Sequence, residues 1–335
     1  MATDKDTQKA ETMLCKVDLA SDAEFGFTRP GFGQGLLAGS VDFYERHVFL
    51  RYKTPSLWPS NIGGEEIDEL PRLLDAAVRT NKGCMKRQTR ITLCEGRDDA
   101  AEASNGDVLI FPDMIRYRRL THADVDSFVE QVLVTGGKWA HSDPEMLQGS
   151  YIFVCCHAAK DLRCGVCGPA LVERFKQEIE AIGLQHRVSV CPCSHLGGHK
   201  YAGNVIIFGA SVDGTVTGHW YGYVTPDDVP ELLEEHILGG TIVNQLWRGQ
   251  MGLTEDQQKL SHQRRLHENA AVSKKGTNKI KRGQKGDSKL EACSSGEITE
   301  GCCQQDPSSC CQSRKLANAG LSNQKKGIVN KVSRI

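Results

Sequence analysis

The sequence is organised around the stretch YIFVCCHAAKDLRCGVCGP at 151–169, which is followed by CPCSHLGGHKYAG at 191–203. An apolar run rich in β-branched and aromatic residues opens the first stretch, and a β-like run precedes the second, which predicts two strands. Cysteines and histidines therefore come at the ends of two strands and at the start of a helix. Thiolates and imidazoles are the donors that zinc, copper and iron–sulfur clusters take from proteins. The pattern predicts a metal or redox site in this part of the chain.

Two pairs of donors have spacings that suit such a site. Cys155 and Cys164 are separated by eight residues, across a loop that leaves a strand and enters a helix. His195 and His199 have glycines between them, so this segment predicts a tight loop and not one face of a helix. Two thiolates and two imidazoles bind zinc tetrahedrally, and they also hold a [2Fe–2S] cluster with one pair on each iron. The spacing alone leaves both possibilities open.

The composition is that of a soluble globular protein, with 335 residues, 39% hydrophobic and 25% charged, enough for one large domain or two. No apolar run is long enough to span a bilayer, and the N-terminal MATDKDTQKAETM lacks the apolar core of a signal peptide. A reducing compartment is therefore expected, where the 14 cysteines serve more readily as metal ligands or redox groups than as disulfides. We expect a cytoplasmic location and no membrane association.

A repeat in the sequence predicts the fold. VFLRYK at 48–53 and IFVCCH at 152–157 are offset by 104 residues, and THADVDSFVEQV at 121–132 has the same offset from TPDDVPELLEEH at 225–236. A shared offset at both ends indicates an internal duplication of a β-α-β-β-α unit. That order is typical of the thioredoxin-like core, whose sheet mixes parallel and antiparallel strands. The predicted fold class is α/β, with two tandem thioredoxin-like, or ferredoxin, halves.

Four regions follow from this division. We predict a flexible N-terminal lead-in at 1–44, a thioredoxin-like half without a site at 45–145, and a site-bearing half at 146–253. From Thr254 onward the chain has 16 Lys and Arg against 8 Asp and Glu, so 254–335 is predicted as a disordered basic tail. Its paired cysteines have no assigned role: Cys302, Cys303, Cys310 and Cys311.

Local signals predict the individual elements. Apolar stripes, caps and glycine stops predict helices at 65–78, 121–133, 170–182 and 226–238, with Pro169 opening the third. Alternating and β-branched runs predict strands at 47–52, 89–94, 108–111, 115–120, 152–154, 188–191, 205–208 and 220–224. Asp213-Gly214 predicts the hairpin turn between the last two of these strands.

The segments VCCHAAKDLRCG at 154–165 and HLGGHKYAGN at 195–204, with the later WYG at 220–222, resemble the sucrase/ferredoxin-like family. This family is related to thioredoxin-like [2Fe–2S] ferredoxins, and the resemblance covers about residues 45–253. It implies a [2Fe–2S] cluster held by two cysteines and two histidines: Cys155 and Cys164 on one iron, His195 and His199 on the other. Cys156 is the alternative to Cys155, and the spacing of eight residues favours Cys155.

The implied ligand set has chemical consequences. Neutral imidazoles in place of thiolates raise the reduction potential of a cluster, and their second nitrogen can release a proton. Because all iron positions are then occupied by protein, we expect electron transfer or redox sensing and no Lewis-acid catalysis. The partner is expected to be a redox protein whose identity the sequence does not give, and a small-molecule substrate is likewise unspecified. Arg163 and Lys200 flank the ligands and either add positive potential or are merely exposed.

Other functions compete for the same residues. Cys164-Gly-Val-Cys167 at a helix start is the pattern of a thiol–disulfide oxidoreductase. The same four ligands in a binding module would hold structural zinc, with Cys191 and Cys193 as substitutes. Glycoside hydrolysis needs paired carboxylates, and no acidic motif stands out for that role.

Two groups of residues are expected to stay outside the site. The basic run KKGTNKIKRGQK at 274–285 favours a solvated segment, with a nuclear-localisation signal as the alternative, and we expect no nucleic-acid partner. His157, His186 and His219 are expected to be ordinary loop or surface histidines.

Overall fold

The computed structural model describes residues 27–29, 31–61, 69–96, 104–211 and 213–282, with the backbone alone for Glu69, His199 and 270–282. The predictions for 1–26, and for the tail from 283 with its paired cysteines, lie outside the described residues. None of the described helices combines the length and the apolar character that crossing a membrane requires.

Ten strands form one continuous sheet in the described part of the chain. In the sheet their order is β10-β9-β8-β6-β7-β2-β1-β3-β4-β5. Their bounds are β1 Arg46–Arg51, β2 Thr89–Cys94, β3 Val108–Phe111, β4 Ile115–Tyr117, β5 Glu145–Met146, β6 Ser150–Cys155, β7 Val188–Cys193, β8 Val205–Ala210, β9 Val216–Tyr221 and β10 Trp247–Gln250.

Five α-helices of the described residues accompany the sheet. Their bounds are α1 Glu69–Thr80, α2 Val125–Phe128, α3 Leu162–Ala181, α4 Val229–Glu231 and α5 Glu255–Arg282. The short α2 and α4 are the middle parts of longer helical segments. Each follows a 3₁₀ turn, at His122–Asp124 and Pro226–Asp228, and each continues into a π-helical stretch, at Val129–Val134 and Leu232–Leu238.

The two thioredoxin-like halves are visible in the strand order. The first half is β5-β4-β3-β1-β2, and the second is its counterpart β10-β9-β8-β6-β7. In each half one pair is parallel, β1 with β2 and β6 with β7, and the other pairs are antiparallel. β1 and β6 begin 104 residues apart, as do the two 3₁₀ turns. The predicted fold class and the duplication are confirmed, and the halves join where Cys94 of β2 pairs antiparallel with Cys193 of β7.

The sheet bends at this junction so that the halves face each other. Phe49 of β1 stacks on Phe153 of β6 with ring centroids 3.7 Å apart. In a flat sheet these strands would be roughly 14 Å apart, because two strands separate them at about 4.8 Å spacing. Phe111 of β3 stacks in the same way on Phe208 of β8, at 4.2 Å. The inner faces of both halves therefore share one aromatic core.

The helices cover the outer faces. In the first half, the apolar stripe of α1 packs with β1 around the buried side chains of Val48, Leu50 and Leu74. In the second half, Phe175 of α3 and Leu232 lie in a separate cluster with Val154 of β6. Because successive side chains of a strand point to opposite faces, Val48 faces the helices while Phe49 faces the other half. The layers run helix, sheet, sheet, helix.

The prediction that α3 begins at Pro169 is wrong. The helix begins at Leu162, because the Asp161 side chain accepts a hydrogen bond from the backbone N–H of Arg163, 3.0 Å away, and so caps the N-terminus. Pro169 lies inside the helix. At Gly168, a Cβ atom would come within 2.8 Å of the Cys156 sulfur. The missing side chain lets this turn pack closely against the end of β6.

Other predicted bounds shift at the ends of elements. The predicted strand at 115–120 stops at Tyr117, and the last hairpin strand is Val216–Tyr221 where 220–224 was predicted. The part of the predicted helix at 65–78 that precedes Glu69 lies outside the described residues.

Two regions predicted to be irregular pack onto the body. α5 replaces the predicted disorder at 255–282. Its Gln258 is fully buried and donates hydrogen bonds to the carbonyls of Val41, at 3.0 Å, and Leu253, at 2.8 Å. Val41 belongs to the predicted flexible lead-in, where Leu37, Ala38, Val41 and Tyr44 are buried. The prediction from composition was wrong here because a few anchoring side chains stabilise a helix whose other positions are polar.

Candidate metal centre

The end of β6 and the first turn of α3 position two buried thiols. Cys155 is the last residue of β6, and its backbone N–H donates to the carbonyl of Asn204 at 3.0 Å. Cys164 follows the Asp161 cap and lies in the first turn of α3. Both cysteines are at most 1% exposed. The strand end and the capped helix start therefore fix the two thiols on the same side of the loop between them.

His195 completes a group of three donors. The loop after β7 brings its imidazole to the two thiols, and the ligand atoms of Cys155, Cys164 and His195 all lie within 4.8 Å of one another. The buried Nδ1 of His195 has no hydrogen-bond partner among the described residues. His199 follows in the same loop, as the first residue of the 3₁₀ turn His199–Tyr201, and its backbone alone is described. Three of the four predicted ligands are thus seen to converge.

The pKa values of the two thiols are shifted in opposite directions. The Cys164 thiol donates to Cys155 and is the main cause that holds the pKa of Cys155 well below its usual value; the His195 side chain and the backbone N–H groups of Leu196 and His157 contribute in the same direction. The same hydrogen bond, together with burial, raises the pKa of Cys164. Cys155 is therefore the thiolate of the pair, a form suited to binding a metal.

His157 supports the loop that carries His195. The backbone N–H of His195 donates to Nδ1 of His157 at 3.1 Å, so Nε2 of His157 carries the proton and donates to the carbonyl of Pro59 at 2.8 Å. Burial lowers the pKa of His157, which keeps the ring neutral, as this pair of bonds requires. His157 was predicted to be an ordinary loop or surface histidine; it lies in a loop and outside the donor group, but its side chain is buried. Pro59 belongs to the first half, which therefore reaches the site.

Asn204 and Arg248 hold the glycines of the same loop. The Asn204 amide donates to the carbonyl of Gly198 at 3.2 Å, and the Arg248 guanidinium donates to the carbonyl of Gly197 at 3.3 Å and to Asn204 Oδ1 at 2.5 Å. Gly197 and Gly198 have φ of 86° and 69°, a conformation that residues with a Cβ rarely adopt. At Gly198 a Cβ would also come within 2.5 Å of the guanidinium. The two glycines permit the tight turn, and the buried pair Asn204–Arg248 fixes it.

Cys156 and Cys167 lie outside the group of donors. Cys156 points to the outer face of β6, into the core beneath α3, so the geometry favours Cys155 over Cys156. Cys167 is fully buried, and burial raises its pKa to about 12. Since reactive cysteines are accessible and have a low pKa, the pair Cys164 and Cys167 does not suit thiol–disulfide exchange.

Cys191 and Cys193 also stay apart from the group in the described residues. Cys193 faces Cys155 across the β6–β7 pair, and burial raises its pKa. Cys191 contacts Cys94 of the first half, whose thiol is the main cause that lowers the pKa of Cys191. Neither thiol takes the place of a histidine in this arrangement.

The flanking cations differ in their surroundings. Arg163 pairs with Asp161 at 2.9 Å, which offsets its charge locally. Lys200 is exposed and lies over the Tyr201 ring at 4.8 Å. Sequence reasoning missed the supporting roles of Pro59, His157 and Asn204. The signal available for His157 was its position directly after the two cysteines.

The profile of the sucrase/ferredoxin-like family matches residues 37–249, which is more than half of the chain and includes both halves of the sheet and the donor group. The chain belongs to the sucrase/ferredoxin-like family. Within the family the matched region carries the converging Cys155, Cys164 and His195 together with the loop that contains His199.

Individual relatives match over parts of their length. "Altered inheritance of mitochondria protein 32" of Debaryomyces hansenii is 44% identical over 100 residues, which are 30% of this chain and 35% of that protein. The Candida glabrata protein of the same name is 25% identical over 261 residues, 65% of this chain and 82% of its own. "Actin patches distal protein 1" of Saccharomyces cerevisiae is 27% identical over 158 residues, 42% and 49%. The match thus spans about a third of the Debaryomyces hansenii protein.

Among solved structures, a thioredoxin-like [2Fe-2S] ferredoxin from Aquifex aeolicus is 20% identical, with a TM-score of 0.26, over 31% of this chain and 94% of the ferredoxin. The crystal structure of the wild-type ferredoxin gives 23% identity and a TM-score of 0.24, over 30% of this chain and 96% of the ferredoxin. At these TM-scores the similarity carries no argument about the site.

Proposed function

We propose that this sucrase/ferredoxin-like protein holds a [2Fe–2S] cluster on Cys155, Cys164, His195 and His199, and that it acts in electron transfer or redox sensing. The observation that carries the proposal is the convergence of two buried thiols and one half-buried imidazole, whose ligand atoms lie within 4.8 Å of one another. His199 is proposed as the fourth ligand because it lies in the same glycine-containing loop as His195.

The residues present fit such a group. A buried Nδ1 without a hydrogen-bond partner among the described residues is costly, and His195 has one beside two thiols. The pKa of Cys155 lies well below the usual value because Cys164 and His195 contact its sulfur, so that a thiolate is available. A cluster bound by these residues would supply one-electron chemistry, coupled to a proton through its imidazole ligands.

The surrounding residues orient the ligands and bury the two thiols. His157 holds the His195 backbone, while Asn204 and Arg248 hold the two glycine carbonyls. The aromatic core between the halves, which includes Phe153 and Trp220, contains Cys155 and Cys164. A surrounding that fixes the ligand loop and buries the two thiols reduces the rearrangement that accompanies a change of charge, which suits electron transfer.

Structural zinc in a binding module is the second candidate, and one observation favours it. Three donor atoms within 4.8 Å of one another can all reach a single ion, since zinc bonds to nitrogen and sulfur are about 2.0–2.3 Å long. The same four residues would then stabilise the fold and carry no electron.

The experiment that separates the candidates is the visible absorption and the iron and zinc content of protein purified without oxygen. We expect coloured protein with about two irons per chain. The variant Cys155→Ser should lose both colour and iron, while the control Cys84→Ser, which changes an exposed thiol of the first half, should retain them. Colourless protein with one zinc per chain would support the binding module and contradict the proposal.

Location, partner and domain bounds are part of the proposal. The sequence predicts the cytoplasm, whereas the names of the Debaryomyces hansenii and Candida glabrata relatives refer to mitochondria. Fractionation of cells that express the full chain would decide between the two. The partner is proposed to be a redox protein, and the bounds 45–145 and 146–253 are proposed for the two halves.

A further inference from the structure

A cavity lies against the loop that carries His195. Its volume is about 330 Å³, and its walls include Leu196–Gly198 of the loop together with the rings of Tyr201 and Trp220. Small-molecule sites typically have roughly 300–1,000 Å³ and combine apolar walls with a few polar groups. The volume and the aromatic walls therefore suit a small ligand.

The charged side chains of the cavity are mostly cationic. Arg90, Lys200 and Arg248 line it against one carboxylate, that of Asp42. Asp42 lies 3.6 Å from Arg90, and its side chain is 96% exposed. Solvent screens a pair of this kind strongly, so that Asp42 offsets little of the positive charge. The cavity attracts anions.

Arg248 is a fixed part of the wall and has no carboxylate partner among the described residues. Its side chain lies over the Tyr201 ring at 4.4 Å, and the whole residue is 3% exposed. In the described part of the chain its guanidinium donates only to uncharged acceptors, which are Ser40 Oγ and the Ser40 carbonyl, both at 3.1 Å, the Gly197 carbonyl and Asn204 Oδ1. A buried charge without a counter-charge costs free energy. Burial accordingly lowers the pKa of Arg248 to about 10.

The guanidinium groups of Arg90 and Arg248 both lie over the indole of Trp220. Arg90 lies over the Trp220 ring at 5.1 Å, and Arg248 lies over it at 5.7 Å. The charge of Arg90 also lowers the pKa of Arg248, while those of Tyr201, Asp42 and Cys155 act in the opposite direction. Arginine recognises carboxylate and phosphate groups through hydrogen bonds from its guanidinium. Four of the five N–H groups of Arg248 donate to the acceptors named above, so that Arg248 can offer an anion one N–H and paired hydrogen bonds would come from Arg90.

We propose that this cavity binds a small oxyanion, a carboxylate or phosphate group of a small molecule, between Arg90 and Arg248, with Lys200 at the opening. The site combines Arg90 of the first half with Arg248 and the ligand loop of the second, so it exists only when the halves are packed together. The bound anion would lie beside the redox group, and that part of the inference rests on the proposed function. The binding itself does not depend on the redox group.

The test is isothermal titration calorimetry on the full chain as purified, at low ionic strength, with inorganic phosphate and malonate as probes. We expect saturable binding of at least one probe, one ion per chain. The variant Arg90→Gln should weaken it at least tenfold. The matched control Arg264→Gln alters an exposed arginine of α5 outside the cavity. This control should change the affinity for the probe less than twofold.

Two results would overturn the inference: neither probe binds saturably, or both variants weaken binding equally. If Arg90→Gln fails to fold, the variant Lys200→Gln replaces it, because the Lys200 side chain is exposed and its change should leave the fold intact. An unchanged affinity of Lys200→Gln for both probes would then contradict the site. Calorimetry reports anion binding whether or not the chain holds iron, so that the proposed anion site and the proposed cluster are tested independently. In chains that hold iron, saturating phosphate should make the reduction potential more negative, and an unchanged potential would overturn the link to the redox group.

Discussion

The two halves of the sheet share a fold and differ in chemistry at one place. At the end of β6 the second half has Cys155, Cys156 and His157, and the residues 104 positions earlier are Arg51, Tyr52 and Lys53. Tyr52 packs in the outer core of its half, and its carbonyl accepts a hydrogen bond from the Trp58 indole at 2.6 Å.

The same strand end thus anchors a loop in one half and aims donors at a candidate metal in the other. The fold supplies equivalent positions, and the residue types at those positions decide the chemistry. The first half nevertheless contributes to the site of the second. It provides the Pro59 carbonyl that orients His157 and the Arg90 guanidinium of the cavity. The predictions below test how far the halves are equivalent and how far they depend on each other.

The largest effect is expected where equivalent residues of the two halves meet. Phe49→Ala and Phe153→Ala should each lower the free energy of unfolding by about 3–5 kcal/mol, because each removes a fully buried ring from the shared core. The double variant should cost about 1 kcal/mol less than the sum, since stacked rings contribute beyond their burial. Urea denaturation measures all three values. As a control, Phe49→Ala and Phe175→Ala, which lie in different clusters, should be additive, and additivity of the stacked pair would contradict the stacking.

The support of the ligand loop gives the next effect. His157→Phe keeps a ring but removes both nitrogens, so the His195 backbone loses its acceptor. Residues that orient ligands typically contribute about ten- to a hundredfold in metal affinity, and we expect iron to be lost to a chelator at a correspondingly lower concentration. Iron content after chelator titration is the measurement. Lys53→Ala, at the equivalent position of the first half, is the control, and equal iron loss in both variants would count against the role of His157.

A dependence on pH should arise in the second half. His236 is half-buried and hydrogen-bonded to the Tyr221 hydroxyl at 2.6 Å, beside His219, with Arg265 also near these groups. Burial lowers the pKa of His236 from 6.5 to about 4. As the pH falls, the unfolded chain takes up this proton first, so the free energy of unfolding decreases from about pH 6.5 down to about pH 4, by about 2 kcal/mol at pH 5.

Urea denaturation at pH 7 and pH 5 tests this dependence. In His236→Val, which introduces the residue type of the equivalent Val132 in the first half, the decrease should be smaller by about 2 kcal/mol, with the His219 contribution left in place. His186→Gln changes an exposed histidine and should keep the decrease of the wild type. An undiminished decrease in His236→Val would show that another group causes it.

The smallest effect is expected at the outer strand of the first half. Arg116 and Arg118 of this half both contact Glu145 of β5, whose side chain is 45% exposed. Exposed ion pairs contribute little, so Glu145→Gln should change the free energy of unfolding by less than about 1 kcal/mol. Trp247→Ala in β10, the counterpart of β5, should cost about 3–5 kcal/mol, because Trp247 is fully buried. Thermal or urea denaturation of both variants is the measurement. Similar losses in Glu145→Gln and Trp247→Ala would contradict the expected difference between the two outer strands.

Local patterns allowed much of the fold to be predicted. The offset of 104 residues predicted the duplication, and most helices and eight of the ten described strands lie near their predicted positions, whereas β5 and β10 were not predicted. The start of α3 was misplaced because Pro169 gave a stronger local signal than the Asp161 cap. The predicted disorder was wrong for 255–282, because Gln258 anchors α5 through contacts that are distant in the sequence.

For the candidate site, too, one part could be predicted from local sequence and another part could not. The sequence by itself determined which residues are able to bind a metal, because donor type and spacing at strand ends are local properties, and Cys155, Cys164 and His195 do converge. Only the tertiary structure decided what surrounds them. Pro59 and Arg90 reach the site because the sheet bends at β2 and β7, and this packing depends on contacts between residues about a hundred positions apart. No local pattern encodes such contacts, since their free energy arises only when both halves are folded.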